Sequence, residues 1–203
     1  MSLNSIYGKY FLLGALAVSA AAIISCNKGS SDQGDSGHFS FDKSKQGIEI
    51  VDQELGIKFN PPKNWELRQT MVSKKIESGG SNPGDQFIYH PTYIFFNDST
   101  GGLLSAGKVE TSDTSLAKST RLNFYKGLIN SKHKNDNISA VNFVHSKLYF
   151  SQFRVEKQNL ISYKLIFENT AGEIIEFDYT IPLTHLEGTQ PYINASIGSI
   201  RPQ

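Results

Sequence analysis

From residue 47 onward, short apolar runs alternate with clusters of Gly, Pro, Asn and Asp, a pattern of strands separated by turns. Ile48 to Val51 and Gly56 to Phe59 read as a hairpin across Asp52 to Leu55. Pro61-Pro62 then stops the second strand, because neither residue has an amide proton to donate. Trp65 to Gln69 resumes extended structure, and residues 77 to 86, rich in Gly, read as a loop. Phe87 to Phe96 and Leu103 to Val109 are further strands. The period changes between Thr111 and Lys132, where Leu116, Phe124, Leu128 and Tyr125, Ile129 recur at multiples of four. This is the one long helix, with Ser112, Asp113 or Thr114 as its cap. Three strands follow: Ala140 to Val155, bent near Ser146; Leu160 to Glu168; and Glu173 to Ile181. Ile161, Tyr163, Leu165, Phe167 and Ile175, Phe177, Tyr179, Ile181 each keep period two, so each row faces one side of a sheet. A short helix from Tyr192 to Ile200, with Pro191 at its first turn, closes the chain.

The N-terminal region has a different pattern. Lys9 is the only charged side chain before residue 26, and Phe11 to Ile24 is uncharged throughout. As a helix these fourteen residues reach ~21 Å, short of a hydrocarbon core roughly 30 Å thick. A basic start, a short apolar run and small residues at its end are the parts of an export signal. A buried core helix fits less well, because the run is apolar all round and a polar stretch follows it. Ile23-Ile24-Ser25-Cys26 resembles the lipobox of bacterial lipoproteins, with Ile where Leu is commoner. The resemblance implies a diacylglycerol thioether on Cys26, cleavage before it and acylation of the new amino group. The chemistry needs sulfur as its soft nucleophile. Cys26 is the only cysteine in the chain, and lipidation accounts for it better than a lone buried thiol would.

Maturation at Cys26 would leave residues 26 to 203. The loss of Lys9 reduces the 20 basic residues to 19, matching the 19 acidic ones. A balanced charge argues against nucleic-acid binding, which needs a positive field. It also leaves membrane attachment to the acyl chains, each buried methylene contributing ~0.8 kcal/mol. Residues 27 to 45 are polar until Phe39 and Phe41, so they read as a tether that cannot bury enough surface to fold. About 20 such residues place a domain on the order of 25 Å from its anchor. The expected organisation is a signal over 1–25, a lipidated Cys26 with its tether over 26–46, and one domain over 47–203. Asn27 stands where an aspartate would favour the inner membrane in enteric bacteria, so the outer membrane or cell surface is the expected location.

Gly56-Ile-Lys-Phe-Asn-Pro-Pro-Lys-Asn-Trp65 resembles the opening of PsbP-like domains, an amphipathic strand running into Pro and then Trp. One mid-chain helix, a meander ending in Glu173 to Ile181, and the terminal Asn194 to Ile200 are similar to the same family in order. The resemblance implies an α+β fold, an α/β/α sandwich around a mainly antiparallel sheet. It also implies a role in protein binding, since the family's members mostly bind proteins and are not catalysts. It carries over no functional residue.

Candidate chemistry is sparse. His38, His90, His133, His145 and His185 form no pair spaced to place two imidazoles on one helix face. No metal site or cofactor is therefore expected. Glu176 and Asp178, beside Glu173, are either an acid–base or cation-binding row or the solvated face of a half-covered sheet. The 79–84 segment lacks the Lys-Ser/Thr of a phosphate loop, and no Gly-x-Ser-x-Gly elbow occurs. Phe87 to Phe96 is dense in aromatics. It reads as a strand covered on both sides, or as an exposed patch of Phe87, Tyr89, Tyr93 and Phe95 gripping a partner or apolar ligand. The leading expectation is a non-enzymatic envelope lipoprotein that binds a protein. A binding module for a small apolar or glycan ligand comes second, and an envelope hydrolase third.

Overall fold

The structure is a computed structural model that describes residues 42–68, 75–78, 86–111, 113 and 115–203, with 75–78 and Gln86 as backbone only. Cys26, the apolar run before it, the tether to residue 41 and the 79–85 segment lie outside the described residues. No helix among the described residues is long and apolar enough to cross a membrane.

The described strands are β1 (Ile50–Asp52), β2 (Ile57–Phe59), β3 (Glu66–Leu67), β4 (Lys75–Ser78), β5 (Gln86–Asn97), β6 (Gly102–Thr111), β7 (Asn137–His145), β8 (Leu148–Lys157), β9 (Leu160–Glu168), β10 (Ile174–Pro182) and β11 (Arg201–Pro202). The helices are α1 (Lys118–Lys132) and α2 (Leu186–Ile197). The larger sheet is antiparallel in the order β3-β5-β6-β10-β9-β8-β7, with β4 also paired to β5. A smaller antiparallel sheet has the order β1-β2-β11.

The two period-two rows meet directly. Tyr163 pairs with Tyr179, Leu165 with Phe177 and Phe167 with Ile175, so both rows lie on one face. On that face they are buried with Ile57 and Phe59 of the small sheet and with Ile193 and Ile197 of α2. The alternate residues face the other way. Ile166 and Ile174 pack there with Tyr125, Leu128 and Ile129 of α1, and with Phe153 and Val155. The fold is therefore α+β and sheet-rich, with one helix on each face of the larger sheet.

Several elements depart from the sequence expectation. The stretch from Ala140 to Val155 is two strands, not one bent strand. Ser146 and Lys147 form a two-residue turn with φ of 49° and 67°, the left-handed pair that joins tight hairpins. Neither is Gly or Asn, so no turn signal marks the site. Residues 75–78 are a strand paired with β5 where a loop was expected to begin at 77. Helix α1 starts at Lys118, after an Asp113 turn in which Oδ1 accepts from the Ser115 amide at 2.8 Å. Its N-cap, Ala117, supplies no side-chain hydrogen bond; Ser112 and Thr114 lie outside the described residues. Helix α2 starts at Leu186 and runs through Pro191, which forgoes one helical hydrogen bond.

Candidate functional site

The aromatic strand β5 divides at a bulge. Its register with β6 shifts between Pro91 and Tyr93, so residues before and after the bulge face opposite sides. Phe87 and Tyr89 are buried beneath α1. Phe95 is buried in the α2-side core, and Tyr93 packs against that core partly covered. The four side chains thus form no single exposed patch; both faces of the strand are occupied. The bulge requires Gly107 opposite it, since a Cβ there would lie 2.0 Å from the His90 carbonyl oxygen and 2.7 Å from Pro91 Cα. Pro91 has no amide proton and suits this break in the ladder.

The carboxylate row on β10 is not a solvated face. Glu176 is only 2% exposed. Its Oε1 accepts from Lys164 Nζ at 3.1 Å, and its Oε2 accepts from the Tyr125 hydroxyl at 2.5 Å. Lys164, on β9, also donates to Asp178 Oδ2. Asp178 Oδ1 accepts from the Ser162 and Thr180 hydroxyls. One cation and two anions therefore share a largely buried cluster under α1. Burial alone would lower the Lys164 pKa, but the charges of Asp178 and Glu176 carry it above the ordinary lysine value. Nearby, Tyr89 shares a 2.6 Å hydrogen bond with Ser105 Oγ. Burial, then the Glu176 charge, raises its pKa well above the usual tyrosine value.

The histidines do not converge. His133 Nδ1 lies 2.8 Å from Asp136, His145 Nε2 3.0 Å from the Gly198 carbonyl, and His90 Nε2 3.3 Å from Glu110. His38 lies outside the described residues. No group of three potential metal ligands is present among the described residues.

The described surface carries concavities at three places that bear on function. The first, about 450 Å³, runs along one flank of α1 between Phe87, Leu116, Phe124, Gly127 and Leu128. Phe124 was expected in the buried stripe, yet it is 57% exposed. It sits about 120° round the helix from the stripe's centre at Tyr125 and Ile129. Gly127 leaves the middle of this groove open, with nothing described within 4 Å of where its Cβ would stand. The second groove, about 670 Å³, is polar and lies where Trp65, Asn97, Thr100, His185, Glu187 and Tyr192 meet. There Asn97 Oδ1 accepts from Ser99 and Thr100 amides, holding the turn between β5 and β6. The third, about 270 Å³, gathers Lys108, Lys118 and Arg121 around Glu110 and Glu173. Glu176 and Asp178 line none of these three grooves. Sequence reasoning missed the polar groove, because its residues come from two distant turns and the start of α2. The exposed Phe124 could have been found from its angle on the helix.

No family profile matches the chain, and no curated protein does. The solution structure of cyanobacterial PsbP (CyanoP) from Synechocystis sp. PCC 6803 is similar, with a TM-score of 0.46 and 14% identity, over 78% of this chain and 94% of that one. A crystal structure of a Pseudomonas aeruginosa protein of unknown function is similar with a TM-score of 0.36 and 10% identity, over 78% of this chain and 98% of that one. Scores this low describe a loosely shared arrangement of elements and carry no functional argument.

Proposed function

We propose that the protein is a lipid-anchored accessory protein of the bacterial cell envelope, at the outer membrane or cell surface. Cys26 ties it to the membrane, and a PsbP-like domain docks a protein partner in the α1 groove. The carrying observation is Phe124, an aromatic ring 57% exposed at the lip of an apolar groove whose floor is opened by Gly127. A glycine inside a helix costs roughly 0.5–1 kcal/mol relative to alanine, and no described neighbour requires it here. The groove admits a partner's apolar side chain against the helix backbone, as interface cores do.

The test is a photoreactive phenylalanine analogue at position 124 of the full chain, irradiated in intact cells. One discrete protein adduct is expected from position 124 and none from Asn130 on the same helix. Adding Gly127→Trp, which fills the groove, abolishes the adduct while the circular dichroism spectrum is retained. No adduct, or one indifferent to Gly127→Trp, overturns the reading.

A second reading is a binding module for a small polar or glycan ligand, favoured by the second groove, where Trp65 and Tyr192 flank Asn97 and Glu187. Trp65 is the chain's single tryptophan, so its fluorescence reports occupancy. A screen of cell-envelope glycan fragments that left the emission unchanged would remove this reading. An envelope hydrolase through Glu176 or Asp178 has no supporting geometry, because Lys164 and Tyr125 occupy those carboxylates away from the three grooves.

A further inference from the structure

The two edges of the larger sheet are built differently. On one side, β5 is flanked by β3, of two residues, and β4, of four, with Glu66, Lys75 and Glu77 among them. Short, charged edge strands are how proteins discourage further pairing. On the other side β7 runs for nine residues, Asn137–His145, in unbroken register with β8. It contains no Lys, Arg, Asp or Glu, no Pro and no bulge. Among the described residues no strand pairs with its outer side.

Its exposed apolar side chains lie on both faces. Val141, 53% exposed, pairs with Gln152 on the α2 side; Val144, 59% exposed, pairs with the exposed Tyr149 on the α1 side. A partner resting on one face would leave the other uncovered. Strand addition covers both.

We propose that β7 is a self-pairing edge, joining two copies of this chain into one continuous antiparallel sheet about a two-fold axis at Val141. The occupant is a second copy because the strand is complementary to itself. An axis at Val141 sets Val141 against its own image on one face and Ile138 against Val144 on the other. An uncharged strand meets no like charge in this pairing. Just beyond the strand ends, the same register sets Lys147 against Asn135 and Asp136 against Ser146 of the second copy, so no like charges are directly opposed.

The experiment is thiol crosslinking of the full chain in cells with a short bismaleimide, the parent chain controlling for any adduct through Cys26. Val141→Cys is expected to give a homodimer. Ile138→Cys alone and Val144→Cys alone are not, because each lies six residues from its own image, about 20 Å away. The two variants produced together, one of them size-tagged, are expected to form a mixed dimer. Val141→Lys is expected to weaken association of the purified protein about tenfold, two ammonium groups then meeting at the axis. Val141 and Val144 are exposed and Ile138 is part-buried against the α1-side core, so the fold of each variant, Ile138→Cys above all, is checked by circular dichroism. No Val141→Cys homodimer above the parent chain, or an adduct only with a different protein, overturns the proposal. So does association unchanged by Val141→Lys.

Discussion

The phenol of Tyr125, carried by α1, donates a 2.5 Å hydrogen bond to Oε2 of Glu176 at the centre of the larger sheet. It links the helix to the ion cluster that Lys164 completes. Apolar contacts hold α1 down, but they are non-directional; this bond selects where along the sheet the helix sits. The α1 groove depends on that position. Tyr125→Phe should cost about 1–3 kcal/mol, the penalty of a buried acceptor left without its donor. Lys164→Met should cost about 3–5 kcal/mol, because the buried Glu176 and the part-buried Asp178 lose their cation. Urea unfolding midpoints check both, and a neutral Lys164→Met would show that the cluster contributes little.

Alkaline pH should destabilise the domain. Tyr93 donates to Asp52, and burial with that bond pushes its pKa up to about 12 from 10.0. Tyr89, Tyr179 and Lys164 are raised as well. The unfolded chain therefore loses these protons at lower pH than the folded one does. Lys164 stabilises fully below its unfolded value of 10.5, and the tyrosines impose no penalty below 10.0. Above those values stability falls as pH climbs toward the folded pKa values. Thermal scans from neutral pH to about 12 should show a flat plateau and then a decline, shallower in Tyr93→Phe.

Two glycines are predicted to be intolerant of a methyl group. At Gly102 a Cβ would lie 2.7 Å from the Trp65 ring, and at Gly107 it would meet the bulge backbone. Gly102→Ala should cost about 1–3 kcal/mol as overpacking and red-shift Trp65 emission by displacing the ring. Gly107→Ala should cost about 3 kcal/mol or more, because backbone on β5 has to move.

Gly127→Ala should do the reverse. Its Cβ meets nothing described within 4 Å, so the helix gains about 0.5–1 kcal/mol. If the groove is a docking site, the same variant should lower yield in the position-124 crosslink. Stabilisation with unchanged crosslinking would separate the glycine from the groove's function.

Cys26→Ser should abolish membrane fractionation of the mature-length product while leaving the domain's circular dichroism unchanged. Full partition of that variant with membranes would contradict a lipid anchor at Cys26.

The sequence alone determined the strands at the sheet's centre and the one-helix-then-meander order. Ile161 to Phe167 and Ile175 to Ile181 alternate without interruption, and alternation dictates which side chains share a face whatever the strand later pairs with. The resemblance of Ile23 to Cys26 to a lipobox is likewise a local pattern, read without any fold. Tertiary structure decided what alternation and composition cannot express. The Pro91 bulge sends Phe87 and Tyr89 one way and Phe95 the other, because one shifted register reverses every later side chain. The carboxylates of Glu176 and Asp178 look solvated in sequence, and they are covered because Lys164 arrives from the neighbouring strand and Tyr125 from a helix 51 residues away. Phe124 looks like core by spacing, and it lines a groove because α1 rests on the sheet through Tyr125 and Ile129, about a third of a turn away.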